Sequence, residues 1–159
     1  MTPEQEALFE KLSPDYLLGI LIEEEAANQP LAGRVGVGSV VRTRVLTEID
    51  PEKTYWEVIL KHVVKNSKEI FQFSFFNEDQ PTFPKALELM QDIISGKLDL
   101  LTPSLKENRF LALGIVQDQI RDNVGGANHY YAPKICHPSW AETMVITATI
   151  ADHIFLKGK

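Results

Sequence analysis

Ser13-Pro14-Asp15-Tyr16-Leu17-Leu18-Gly19-Ile20-Leu21-Ile22-Glu23-Glu24-Glu25-Ala26-Ala27-Asn28-Gln29-Pro30 opens with a helix-start signal and ends in a run of acids and a proline. Serine is a favoured helix cap, proline suits the first helical position, and an acid in the first turn complements the helix dipole. The helix they open carries Tyr16 through about Asn28 and is apolar nearly all round, the mark of a central, buried helix. It ends in three adjacent carboxylates, Glu23, Glu24 and Glu25. The negative end of a helix dipole, mutual repulsion and lost hydration all disfavour charge there and raise a carboxylate pKa. A carboxylic acid that keeps its proton near neutral pH can act as a general acid. By itself the stretch favours a plainer reading, a solvated and charged helix end.

Outward from this helix, Thr2 to Leu12 reads as a short amphipathic helix with Pro3 in its first turn. Pro30 and Gly33 end the central helix. Leu31 to Thr47 then places Leu31, Val35, Gly38 or Val41, and Val45 at helical spacing, with Arg34, Arg42 and Arg44 between them. Gly33, Gly36 and Gly38 lower helicity but permit close approach to a neighbour, so this helix should pack tightly on the central one. Thr54-Tyr55-Trp56-Glu57 fits a capping box opening a helix through about Val63. Lys65 to Pro84 holds Phe71-Gln72-Phe73-Ser74-Phe75-Phe76-Asn77, either a short strand with one buried face or the aromatic wall of a cleft. Lys85 to Ser95 is a helix stopped by Gly96, and Thr102-Pro103 opens another to about Ile120. From Val124 the texture turns to β. A glycine turn leads into His129-Tyr130-Tyr131, and His137-Pro138-Ser139-Trp140-Ala141 makes a turn. Met144 to Ile150 and His153 to Leu156 pair as a terminal hairpin near Ala151-Asp152. Helices first and a small C-terminal antiparallel sheet last give an α+β single domain over residues 1–159, with 1–13 a helical extension and 14–157 the core.

Composition narrows the function. A chain of 159 residues can build one real core. Cys136 is the lone cysteine, which excludes an internal disulfide and a thiol-only metal site. A net charge of -6 argues against binding nucleic acid through its phosphates. No apolar run is long enough to cross a bilayer, so no membrane insertion is expected. The acidic start, Met1-Thr2-Pro3-Glu4-Gln5-Glu6, is not a secretory signal, which leads to the expectation of a protein that is cytoplasmic until released, or associated with a virion.

Three clusters carry chemistry: Glu25 with Glu23 and Glu24; Gln72, Ser74 and Asn77 among the phenylalanines; and His129, Tyr130, Tyr131, His137 and His153. Aromatic rings beside amides and hydroxyls suit carbohydrate, with ring faces for stacking and polar groups for sugar hydroxyls. One acid able to protonate a glycosidic oxygen would complete a glycan-cleaving site. A zinc amidase site built from His129, Cys136, His137 and His153 is the competing chemistry, although the spacings match no tight ligand pair such as His-Glu-x-x-His. A serine triad is weaker, for no Gly-x-Ser-x-Gly elbow exists. Gly36-Val37-Gly38 follows no strand and so is no dinucleotide loop.

In these blocks the chain resembles the SleB-type cell wall hydrolases, named for spore cortex-lytic enzymes and found also in phages. The likeness runs from about Leu18 to Lys157. Glu25-Ala26, with Pro30 and Gly33 beyond, looks like the family's catalytic-glutamate motif, and Val40-Val41-Arg42-Thr43-Arg44-Val45 like its next helix. Gln72-Phe73-Ser74-Phe75 resembles its Gln-Phe-Ser block. Gly125-Gly126-Ala127-Asn128-His129-Tyr130-Tyr131, Pro138-Ser139-Trp140-Ala141 and Asp152-His153-x-Phe155 resemble its C-terminal signature. Two departures stand out: Thr43-Arg44-Val45 replaces the usual Asn-Arg-Val, and Asn128 stands where threonine is expected.

The resemblance implies a lysozyme-like fold and cleavage of peptidoglycan glycan strands between N-acetylmuramic acid and N-acetylglucosamine, as a lytic transglycosylase without a cofactor. It implies Glu25 as the single acid and base, with Gln72, Ser74, Phe75, Asn128, His129, Tyr130 and Tyr131 holding substrate. A lone domain that starts without a leader looks more like a phage endolysin or virion-associated muralytic protein than a secreted spore enzyme, and that role is the expectation. A catalytically inactive glycan-binding module is the remaining alternative.

Overall fold

Helix α2 (Pro14–Ala26) is buried on every side, as its sequence requires, with Leu17, Leu18, Ile20, Leu21 and Ile22 all in the core. The computed structural model describes residues 2–47, 54–66, 68–77 and 79–158. Met1 and Lys159, the ends of the expected domain, and Ser67 and Glu78, inside the aromatic segment, lie outside the described residues. Helix α2 packs mainly on α6 (Pro103–Val116), and also on α3 (Leu31–Leu46) and α4 (Tyr55–Ile59). Two glycines make these approaches possible. A Cβ on Gly19 would lie 2.9 Å from the Cα of Arg109 in α6, and one on Gly38 would lie 2.5 Å from the side chain of Ile115.

Ser13 does not cap α2 with its side chain, contrary to expectation. Its hydroxyl donates instead to Asp15 at 2.6 Å, and the other Asp15 oxygen accepts from Arg109 Nε at 2.8 Å. Arg109 lies 3.9 Å over the Tyr16 ring, so the helix start is fastened to α6. Burial pushes the Asp15 carboxyl up, but the hydrogen bonds from Ser13 and Arg109 and the arginine's charge outweigh it and hold the group below its ordinary value.

Helix α1 (Pro3–Phe9) is capped by Thr2 in a capping box with Gln5, and it sends Phe9 into the core. Thr54 and Glu57 form the expected capping box of α4, but that helix stops at Ile59 rather than continuing to Val63. His62–Lys65 is strand β1, paired antiparallel with β2 (Lys68–Phe71) through a turn where Asn66 has φ 52°. A short 3-10 turn, Ser74–Phe76, follows β2, then α5 (Phe83–Ile94), closed by Gly96 at φ 77°. Helix α6 ends at Val116, earlier than the expected Ile120. Asp118 turns left-handed at φ 60°, the N–H groups of Gln119 and Ile120 both donate to Gly114 O, and the Ile120 side chain folds into the space above Gly114.

The C-terminal sheet has the order β3 (His129–Tyr131), β5 (His153–Lys157), β4 (Val145–Ile150), all antiparallel. The β4–β5 hairpin turns at Ala151 and Asp152, where Ala151 has φ 49°. Phe155 and Leu156, which point to opposite faces of β5, are both buried. The class is α+β, mostly helical with a small C-terminal antiparallel sheet, as expected; the β1–β2 ribbon is an addition. No helix among the described residues is long and apolar enough to cross a membrane.

Candidate active site

A cleft of about 490 Å³ opens where the end of α2, the middle of α3, the segment after β2 and strand β3 with its following loop converge. Glu25, Gln72, Ser74, Asn128, His129, Tyr130 and Tyr131, from three separate stretches of sequence, line it together. Phe75 does not. Its ring packs on Phe76 at 4.1 Å in the core, while Phe73, equally buried, touches the cleft instead. The aromatic segment therefore answers to both sequence readings. Phe71, Phe73, Phe75 and Phe76 are buried, while the alternate residues Gln72 and Ser74 stay exposed and face the cleft. Asn77 does not line the cleft. Its side-chain oxygen accepts the backbone N–H of Phe71 at 2.7 Å and holds the turn.

The helix separates the three glutamates. Glu23 turns toward α6, accepting from Ser104 Oγ at 2.7 Å and from the fully buried Asn108 at 2.6 Å; Asn108 in turn accepts from Arg34 at 2.8 Å. Glu24 shares a small second cavity with Glu23 and Lys85. Burial raises its pKa, Lys85 opposes the rise and Glu23 adds to it. Only Glu25 enters the large cleft, where it is the single carboxylate among the described lining residues.

Burial pushes the pKa of Glu25 up; a hydrogen bond donated by Tyr130 Oη to its Oε2 at 3.0 Å partly opposes this, and the charge of Glu24 adds to it. Tyr130 is itself pushed well above the usual tyrosine range by burial and by Glu25, so it remains a hydroxyl donor. Its ring is wedged edge-on against His153 at 5.3 Å and tilted on Phe155 at 6.0 Å, which fixes where the hydroxyl points. Burial lowers the pKa of His153, with Asp152 opposing, and so favours the neutral ring; its Nδ1 is buried without a protein partner among the described residues.

Arg44, buried on α3, donates from Nη2 to Gln72 Oε1 at 2.8 Å and fixes that amide on the cleft wall. At the other end the rings of His129 and Trp140 lie 5.1 Å apart. Tyr131 meets Trp140 at 6.0 Å and His137 at 5.9 Å, both edge-on. His129 Nδ1 and Asn128 Oδ1 are 2.9 Å apart. The result is an aromatic shelf leading to one buried acid, a surface able to stack sugar rings and deliver a proton. Among the described residues, no three His, Cys, Asp or Glu side chains converge as metal ligands.

Sequence reasoning left Arg44, Phe73 and Trp140 out of the site, though each lies in a quoted block. The one available signal was Arg44, an arginine on a helix face otherwise made of glycine, serine and valine.

Two solved structures share this fold. The catalytic domain of the Bacillus cereus SleB protein is 19% identical, with a TM-score of 0.54 over 91% of this chain and 89% of that one. The catalytic domain of the germination-specific lytic transglycosylase SleB from Bacillus anthracis is 20% identical, with a TM-score of 0.56 over 92% of this chain and 98% of that one. No curated protein sequence matches. The family described as Cell Wall Hydrolase matches at residues 28–156, a span that begins just after Glu25. With most of its length, including the Gln72 segment and all of the C-terminal sheet but Lys157, inside that match, the chain belongs to the cell wall hydrolase family.

Proposed function

We propose that the chain cleaves peptidoglycan glycan strands between N-acetylmuramic acid and N-acetylglucosamine as a lytic transglycosylase, with Glu25 as acid and then base. The observation that carries this reading is the solitary Glu25, set in a cleft, held toward its protonated form by burial and oriented by Tyr130. Retaining glycosidases place a second carboxylate about 5 Å away as nucleophile, and inverting enzymes place one farther off to activate water. The described cleft lining supplies no second carboxylate in either position. A nucleophile carried by the substrate removes the need for one.

In the proposed reaction the Glu25 proton passes to the glycosidic oxygen and the bond from that oxygen to C1 of the muramic residue breaks. Positive charge develops at C1, beside the anionic carboxylate that the proton has left behind. The 6-hydroxyl of the same sugar then bonds to C1 and returns its proton to Glu25, giving a 1,6-anhydro end and a free 4-hydroxyl without consuming water. Gln72, Ser74, Asn128, His129 and Tyr131 position the strand, and the shelf ending at Trp140 stacks its rings. A zinc amidase finds no support in the geometry, because His137 meets Tyr131 edge-on, His153 is buried and the donors do not converge among the described residues.

Mass spectrometry of fragments released from purified peptidoglycan tests the reaction. Anhydro-muramic ends are expected. Reducing muramic ends would assign a hydrolytic muramidase, and free stem peptides with intact glycan would assign an amidase.

A further inference from the structure

The β1–β2 ribbon has no part in the acid chemistry, yet it grows directly out of the cleft wall. The Gln72 N–H donates to Lys61 O at 2.9 Å, which extends the β1–β2 ladder by one pair beyond His62↔Phe71. Side chains on a strand alternate between faces. One face of the ribbon therefore carries Lys61, Val63, Lys65, Lys68, Ile70 and Gln72, and ends at the amide that lines the cleft. The opposite face turns toward the body only at its cleft end, where the His62 ring meets Phe71 at 4.9 Å and lies 3.7 Å from Glu6; its outer pair, Val64 and Glu69, is exposed.

The outward face is poorly suited to its own stability. Val63 is 61% and Ile70 42% exposed, and they are direct cross-strand partners. Lys65 and Lys68, also partners, are both exposed. Like charges directly opposite one another destabilise an antiparallel pair, and a lone two-stranded ribbon is marginal in water. An anionic, partly apolar occupant would relieve both defects. On a chain of net charge -6, this face is a local cationic and aliphatic strip.

We propose that this face of the β1–β2 ribbon binds the carboxylate-bearing peptide substituents of the glycan strand. The proposal rests on the glycan-cleavage reading above. A strand passing Gln72 brings its substituents onto the ribbon. Short peptides that alternate methyl side chains with free carboxylates match Val63 and Ile70 beside Lys65 and Lys68. The ribbon thereby makes the enzyme prefer peptide-substituted strands over bare ones.

The test compares the wild-type chain with Lys65→Glu/Lys68→Glu on two substrates: purified peptidoglycan with intact stems, and the same glycan stripped of stems by an amidase. Charge reversal is expected to lower the ratio of initial rates, stem-bearing over stripped, by about fivefold, the scale of two exposed ion pairs. Lys65→Arg/Lys68→Arg restores the ratio, and added salt lowers it in the wild type. An unchanged ratio overturns the proposal. Loss of binding to anionic phospholipid vesicles with the ratio unchanged also overturns it, and assigns the face to a membrane surface. If the wild type releases no fragments from either substrate, the glycan-cleavage reading fails. Co-sedimentation with intact against stem-stripped sacculi then still decides the ribbon's role, since selective binding that charge reversal abolishes would support it.

Discussion

Glu25 is subject to three influences: burial, which raises its pKa, the Tyr130 hydrogen bond, which lowers it, and the charge of Glu24, which raises it. The net rise keeps the carboxyl protonated to higher pH than a free glutamate. Activity that needs the proton therefore falls as pH climbs through this raised value, and the alkaline limb of kcat/KM should lie above the ordinary glutamate range. Tyr130→Phe removes the donor that favours the charged form, so the limb moves further up. The loss of orientation lowers kcat about tenfold, and a pH–rate profile of both proteins checks the two effects together. The same shift has a stability consequence. A glutamate whose pKa is raised by folding contributes stability that is fully present below its unfolded pKa and is lost as pH rises through the folded value. Glu25→Gln should therefore raise Tm at pH 8 relative to wild type and leave it nearly unchanged at pH 4, as read by thermal melts at the two pH values.

At the scale of elements, α2 is held in place by close packing and by a polar bridge. The space beside Gly19 is closed by backbone atoms of Arg109, which have no rotamer to yield. Gly19→Ala should destabilise by about 1–3 kcal/mol, the range for overpacking, as read by urea unfolding. Asn108→Ala removes a partner of Glu23 and one of Arg34 and should cost about 1–3 kcal/mol, with kcat unaffected because the bridge lies outside the cleft. Helix α2 was legible in the sequence because its apolar run, Pro14 and Asp15 agree with one another. The β4–β5 hairpin was legible for a like reason, its β-branched run interrupted only at Ala151-Asp152. Strand β1 was not legible. With three of its four residues exposed, it shows no period-two burial pattern, and the strong capping box at Thr54 pointed to a longer helix. The end of α6 was missed because Ile120 continues the apolar spacing, yet packs back on Gly114 after a left-handed turn. In the site, Glu25 stood out through its block rather than its charge. Phe73 and Phe75 could not be told apart in a sequence where they flank the same polar residue, Ser74.

At the scale of the molecule, the cleft exists because the helical half and the C-terminal sheet meet at Glu25 and Tyr130, residues far apart in sequence. The N-terminal helix, expected as an extension, also contributes to the common core through Phe9, which is 0% exposed. Phe9→Ala should destabilise the whole fold by about 3–5 kcal/mol, seen as a single shifted transition rather than a separate one. The central claim is that one buried acid, assembled by this fold, breaks the glycan strand. The most direct measurement is the release of soluble fragments from purified, stem-stripped glycan strands by wild type and Glu25→Gln, with both proteins shown to be folded by circular dichroism. The account predicts fragments from the wild type and a loss of about 10³-fold in rate for the variant, the scale of a missing general acid. Fragment release by Glu25→Gln at a rate near that of the wild type would contradict it.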